Sequence, residues 1–248
     1  MDPRVNIIDK RLEKVKKVIA ISGGKGGIGK STVAAILALV LSESGYKVGL
    51  LDLDLWGSSA HVIMGVGDVY PEEEKGIIPP DIHGVKFMSV VYYTSDRPLP
   101  LRKAGFNQAV IELLAVTQWG ALDFLIIDMP PGMADATLDV IRVIKKISFC
   151  IIAVSSKVVL ETVNKTVKML KESGTPIIGA IENMTGKRSL VKEQARKLNM
   201  PFLGEISFDA KCEEAVGDTA ELLKTDLAKS ISEIIESTDG FRLKRKKI

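Results

Sequence analysis

The chain has 248 residues and 26.9 kDa, with 46% hydrophobic and 26% charged residues, a balance that buries a core and excludes a mostly disordered protein. The apolar stretch of the first helical pattern, Val33 to Leu41, runs nine residues against the roughly 20 of a membrane span. Thirty-four basic residues include five in the last eight, and the remaining 29 against 31 acids leave a body of net charge −2, which excludes a basic nucleic-acid-binding surface on the folded part.

The start, Met1-Asp2-Pro3-Arg4, carries charge and no apolar signal segment, so secretion is not expected. Two cysteines, Cys150 and Cys212, cannot make a disulfide framework and fit a reducing, cytoplasmic setting. The tail 241–248 reads as a solubilising charge run; neither a membrane nor nucleic acid is an expected partner.

Short apolar runs rich in Val and Ile predict strands over Val18–Ser22, Val48–Leu53, Val85–Val91, Phe124–Asp128, Phe149–Val154, Ile177–Ile181 and Phe202–Ile206. Most are continuous rather than alternating, the mark of strands buried on both faces. Helical patterns fall between them, over Thr32–Glu43, Asn107–Thr117, Ala136–Lys146, Val158–Lys171, Leu190–Leu198 and Ala220–Ile235. This alternation predicts an α/β fold, a mostly parallel twisted sheet with helices on both faces. With no repeat, low-complexity tract or linker, one domain is expected over 1–248, with the basic tail at its end. Gly65–Gly84, rich in acids, prolines and glycines, reads as an exposed insertion or mobile loop.

Directly after the first strand stands Ser22-Gly23-Gly24-Lys25-Gly26-Gly27-Ile28-Gly29-Lys30-Ser31-Thr32, and a helical pattern follows. Gly24 to Ser31 is G-x-x-x-x-G-K-S between strand and helix, the context that makes it a phosphate-binding loop. Glycines at 24, 26, 27 and 29 let backbone N–H groups from Gly24 through Thr32, Ile28 included, converge on phosphate oxygens, and the helix N-terminus adds its positive end. Lys30 is expected on the β- and γ-phosphates and the Ser31 hydroxyl on Mg²⁺.

The second strand ends Leu51-Asp52-Leu53-Asp54. Ligands of parallel sheets lie beyond the carboxyl ends of strands, and alternation turns Asp52 and Asp54 the same way, toward the phosphates. Phe124-Leu125-Ile126-Ile127-Asp128 is an apolar strand ending in a carboxylate, suited to hold magnesium through water. Met129-Pro130-Pro131-Gly132 then makes a stiff turn fit to sense a γ-phosphate. No Asn-Lys-x-Asp is present to read guanine, so ATP and ADP are the expected nucleotides.

Lys25-Gly26-Gly27-Ile28-Gly29-Lys30-Ser31 resembles the deviant P-loop of the family that includes MinD, ParA, Mrp and nitrogenase iron protein. The resemblance implies that Lys25 reaches across an ATP-promoted homodimer, that Asp54 orients the attacking water while Asp52 supports the magnesium shell, and that the Asn183 amide in Glu182-Asn183-Met184 meets adenine. It extends over nearly the whole chain and is closest to the Mrp branch. Arg11 to Ala20 looks like that branch's lead-in. Asp52-Leu53-Asp54-Leu55-Trp56-Gly57-Ser58-Ser59 is similar to its D-x-D-x-x-G-P-S segment, with Ser58 where proline is usual. Trp119 to Asp123 and Pro201 to Ile206 are also similar.

Cluster-bearing Mrp proteins place a C-x-x-C shortly after the Glu-Asn-Met segment. Here that stretch reads Thr185-Gly186-Lys187-Arg188-Ser189-Leu190. An Mrp body without those cysteines looks like the archaeal HypB type, the nickel-incorporation ATPase of [NiFe]-hydrogenase maturation. That likeness implies a metallochaperone role, with Ni²⁺ reaching the chain through a nickel-carrier maturation protein. The alternatives are an iron–sulfur cluster carrier of the Mrp type and a MinD-like ATPase that cycles on a membrane. His61 and His83, the two histidines, are expected to be structural or solvated.

Overall fold

In the computed structural model the described residues are 3–54, 57–94, 103–132, 134–186 and 189–243. Leu55, Trp56, Lys187, Arg188 and residues 244–248 of the basic tail, all used in the sequence reading, lie outside them. The chain opens with helix α1 (Arg4–Leu12), strand β1 (Val15–Gly23), helix α2 (Lys30–Glu43), strand β2 (Val48–Asp52) and a short helix α3 (Ala60–Ile63). A two-stranded hairpin, β3 (Glu72–Glu73) and β4 (Ile77–Ile78), precedes β5 (Asp81–Ile82), β6 (Val85–Ser89) and α4 (Val91–Thr94). Then come α5 (Lys103–Val116), β7 (Leu122–Asp128), α6 (Ala134–Val143), β8 (Ile147–Ala153), α7 (Lys157–Glu172) and β9 (Ile177–Thr185). The last elements are α8 (Leu190–Lys197), β10 (Phe202–Ser207), α9 (Ala210–Glu214), α10 (Thr219–Leu222) and α11 (Asp226–Ser237).

The large sheet runs β10-β9-β8-β1-β7-β2-β6-β5 and is parallel throughout except for β5, which lies antiparallel on β6. Its central strands are buried along almost their whole length, as continuous apolar runs require. Helix α2 is apolar nearly all round, with every residue from Val33 to Leu41 buried. A helix of that kind needs cover on all sides, and α2 packs on the sheet with α11 against it. Helix α11 turns Leu227, Ala228, Ile231, Ile234 and Ile235 inward at helical spacing. The other group, α1, α5 and α6, pack on one another. Arg4 fixes α1 to α5 through Gln108 (2.6 Å) and Glu112 (3.3 Å). No helix among the described residues is long and apolar enough to cross a membrane.

Each predicted strand and helix has a counterpart, with three corrections. Gly65–Gly84 is exposed over most of its length, as expected of an insertion, but it is not loop throughout: it contributes β3, β4 and the sheet-edge strand β5. The run Ala220–Ile235 breaks into α10 and α11 because Thr225 caps the second helix, its side chain accepting from Ala228 N–H. Helix α1, which buries only Ile8 and Leu12, was absent from the sequence expectation.

Candidate functional site

Strand β1 carries the chain to the middle of the sheet, and the loop 24–29 turns it directly into α2. Gly27 and Gly29 both sit at φ +77°, left-handed backbone that a side chain would strain. A Cβ at Gly24 would lie 2.8 Å from the Val159 carbonyl oxygen on α7, so the loop's first glycine is demanded by packing. Nothing lies within 4 Å of a Cβ at Gly26 or Gly27, which leaves that side of the loop open. Ile28 is buried beneath it. Lys25 is exposed, next to Gly26 and Gly27.

Strand β7 lies between β1 and β2, and this order brings the acids together. Asp52 and Asp128 are register partners at the ends of β2 and β7, both fully buried. Lys30 Nζ is ion-paired with Asp128 Oδ1 and lies 3.3 Å from Ser31 Oγ. The other oxygen of Asp128, Oδ2, is buried without a hydrogen-bond partner. Burial raises the Asp128 carboxyl above the usual range, against the pull of Lys30 and Ser31. Asp52 is pushed up to about 7, first by burial and then by the Asp128 charge, with hydrogen bonds from Ser58 and the Asp54 amide opposing. These are the shifts of a site built to receive positive charge.

Asp54 lies in the loop after β2 rather than on the strand. Its amide donates to Asp52 Oδ1 (2.9 Å) and its own Oδ1 accepts from Gly57 N–H (3.2 Å). Gly132, at φ +64°, closes the Pro130-Pro131-Gly132 turn, its N–H donating to the Gly23 carbonyl (3.5 Å).

Asn183 stands at the end of β9 with its amide nitrogen donating to the Ile28 carbonyl (2.9 Å), so it braces the loop from behind, against Gly29. It also lines a cleft of about 290 Å³ with Thr32, Met184, Phe208, Cys212 and Leu227. Phe208 is 71% exposed at its mouth. Apolar walls with a few polar groups suit a planar heterocycle. Phe208, Cys212 and Leu227 carry no motif, and the sequence reading passed over them. It also missed a polar clamp behind Asn183, where Glu182 accepts hydrogen bonds from Ser155 and Ser189.

Mg²⁺ fits the acid cluster: the unpartnered Asp128 Oδ2, the Asp52 carboxylate and the Ser31 hydroxyl are hard oxygen donors in one place. No group of three His, Cys, Asp or Glu among the described residues could hold a metal by protein ligands alone. Magnesium sites complete their shells with water and phosphate oxygens, so two carboxylates suffice. Thiolate cargo finds no such fit. Cys150 is fully buried in β8, its thiol pushed up to about 12 by burial, and Cys212 is buried on α9 in the cleft, raised by burial and by Asp209 and Glu213.

Residues 14–239 match the ParA family profile described as NUBPL iron-transfer P-loop NTPase. The chain is 34% identical to an iron–sulfur cluster carrier protein of Aquifex aeolicus, over 92% of this chain and 70% of that one. It is 35% identical to a carrier of the same description from Pyrococcus furiosus, over 87% and 82%. Against one from Pseudomonas fragi it is 37% identical, spanning 62% of that protein's length. Among solved structures, an Archaeoglobus fulgidus nucleotide-binding protein in complex with ADP superposes with TM-score 0.72 at 30% identity, over 88% of this chain and 92% of that one. The septum site-determining protein MinD of Pyrococcus horikoshii superposes at 0.67 and 22% identity, over 89% and 94%, which speaks for the fold alone.

These relatives overturn the nickel-insertion and hydrogenase-maturation expectation. It rested on missing cysteines, and a missing thiolate set removes one cargo site without creating one for nickel. The proteins this chain is similar to are named for iron–sulfur clusters. With fold, loop and profile in agreement, the chain belongs to the NUBPL iron-transfer family of ParA-type P-loop NTPases.

Proposed function

We propose that this chain is an adenine-nucleotide-dependent ATPase that switches the handling of iron–sulfur clusters, working in the cytoplasm as one domain over 1–248. The observation that carries this reading is the similarity, over nearly the whole chain, to iron–sulfur cluster carrier proteins. The bound ADP named for the Archaeoglobus fulgidus protein supports an adenine nucleotide in the same loop. In this reading backbone N–H groups of Gly24 to Thr32 hold the phosphates, Lys30 exchanges Asp128 for the β- and γ-phosphates, and Asn183 steadies the loop beside the base cleft. Ser31, Asp52 and Asp128 hold Mg²⁺, which when bound neutralises charge between the β- and γ-phosphates. Asp54 takes the attacking water's proton side and orients it. Lys25, exposed on the loop, meets the nucleotide of a second copy in an ATP-promoted homodimer.

The cluster is cargo in this scheme. With Cys150 inside β8, a dimer offers at most the two Cys212 thiols rather than four thiolates, so the remaining ligands belong to the protein that gives or receives the cluster. The test follows transfer from a cluster-loaded donor to an apo-acceptor by visible circular dichroism, with this chain and either MgATP or MgADP. Faster transfer with MgATP, alongside ATP hydrolysis, is the expected result. Equal rates with and without the chain in both nucleotides would overturn the cluster reading.

A further inference from the structure

Ser58 occupies the position where the resembled segment carries proline, and its hydroxyl is the hub of a small network. Ser58 Oγ lies 2.5 Å from Asp52 Oδ2, 3.1 Å from Ser89 Oγ and 3.3 Å from His61 Nδ1. Its single proton goes to the carboxylate, the strongest acceptor at the shortest distance, so its lone pairs receive Ser89 or the His61 ring. Ser89, at the end of β6, also reaches Asp52 Oδ2 at 3.4 Å and accepts from Val91 N–H at 3.3 Å. Ser58 therefore joins three pieces of chain: the end of β2 through Asp52, the end of β6 through Ser89, and α3 through His61.

The other oxygen of Asp52 takes the Asp54 amide. One buried carboxylate is thus held from one side by Ser58 and itself holds, from the other, the backbone of Asp54. We infer that Ser58 is a positioning residue: by fixing Asp52 Oδ2 it sets the loop that carries Asp54 against the phosphate site. A proline there fixes a loop through its locked φ. Serine fixes it through hydrogen bonds, which replacing the hydroxyl by hydrogen, as in Ser58→Ala, removes. This inference rests on the reading of Asp52 and Asp54 proposed above.

Ser58→Ala, Ser58→Thr and Ser89→Ala are compared with the wild-type chain in two measurements. The first is hydrogen–deuterium exchange across residues 52–61, which needs no activity. Exchange there should rise severalfold in Ser58→Ala and return to the wild-type rate in Ser58→Thr, which restores the hydroxyl. The second is steady-state ATP hydrolysis. Losing one hydrogen bond to a charged group should lower kcat about tenfold, with KM for ATP unchanged, because Lys30 and the loop glycines do not touch Ser58. Ser89→Ala, removing a 3.4 Å contact, should lower kcat by about threefold or less. Unchanged exchange in Ser58→Ala overturns the inference whatever the kinetics show. So does a kcat loss that Ser58→Thr fails to recover, or one that follows a fallen Tm equally in both variants. A wild-type chain that hydrolyses no ATP refutes the proposed function, while the exchange measurement still decides whether Ser58 holds the loop.

Discussion

Lys30 and Asp128 form an ion pair in the interior of the sheet, the lysine 6% and the aspartate 0% exposed, at the point where the phosphate loop meets the end of β7. The residue assigned to the phosphates thus already has a charged partner. Lys30→Ala leaves Asp128 as a buried charge with nothing to balance it, a cost of about 3–5 kcal/mol when one partner of a buried pair is removed. The variant should unfold at clearly lower urea concentration and show no measurable ATP binding by calorimetry. Protonation relieves the stranded carboxylate, so the stability gap to wild type should narrow at acidic pH. A variant that keeps wild-type stability would show that the pair contributes nothing.

The Asp52 carboxyl gives a pH dependence with a defined sign. Its folded value, about 7, stands above the ordinary 3.8. Between those values the folded chain holds a proton that the unfolded chain has released, so stability from this group is full below about 4 and is lost as pH rises toward 7. At 1.36 kcal/mol per unit over about three units, the ceiling is about 4 kcal/mol. Without Mg²⁺, the unfolding midpoint should fall between pH 5 and 7.5, and Asp52→Asn should flatten that slope. A slope identical in both proteins would place its origin elsewhere.

The strands themselves and the phosphate loop were legible because both are written locally: continuous apolar runs for β1, β7 and β8, and a strand–glycine loop–helix sequence for Gly24 to Ser31; the order of the strands in the sheet was not. Asp128 was legible for the same reason, an acid ending an apolar strand. What depends on distant residues meeting was not. Ser58, Ser89 and Asp52 belong to three segments joined only when β2 and β6 pair, and Glu182, Ser155 and Ser189 meet only across β8, β9 and α8. Asn183 lines the cleft expected for the base, and its amide also donates to the Ile28 carbonyl, a bond between residues 155 apart that no local pattern announces. Cargo was the least legible of all, because an absent C-x-x-C says what is missing and not what replaces it.

Asp54→Asn should separate binding from turnover. The side chain's Oδ1 accepts from Gly57 N–H, and an asparagine oxygen can keep that bond, so the loop should hold its shape. The NH2 that replaces Oδ2 donates and cannot accept the water's hydrogen bond, so the water loses its orientation and kcat should fall by about 100-fold or more while ATP affinity stays within a few-fold. Single-turnover hydrolysis and calorimetry check the two halves. Wild-type turnover in Asp54→Asn would remove this residue from the chemistry.

Lys25 sits on the open side of the loop, and its role needs a second copy. Light scattering of Asp54→Asn with ATP should give a larger species than with ADP, and adding Lys25→Ala should erase the difference by removing the charge that crosses the interface. A chain that stays one size in every nucleotide state would end the trans role.

Glu182, beside Asn183 on β9, ties the start of α8 to the sheet. Its buried carboxylate accepts a hydrogen bond from Ser155 and another from Ser189. Each serine oxygen in turn accepts a backbone N–H from the first turn of α8, Leu190 on Ser155 (2.8 Å) and Lys192 on Ser189 (3.2 Å). The negative charge is thereby relayed to the positive end of α8 through two hydroxyls. Glu182→Gln replaces one of the two charge-assisted acceptor oxygens by an amide that donates, so one of the two hydrogen bonds is lost, at a cost of about 1–3 kcal/mol. Glu182→Ala loses both and should cost more. Denaturant unfolding should rank the chains wild type, Gln, Ala in falling stability, and exchange should quicken first at the start of α8. Because Asn183 is the next residue along β9 and braces Ile28, nucleotide affinity should weaken in the same order. Equal stability of Glu182→Ala and wild type would mean that the two serines find other partners and that the carboxylate does not hold the helix.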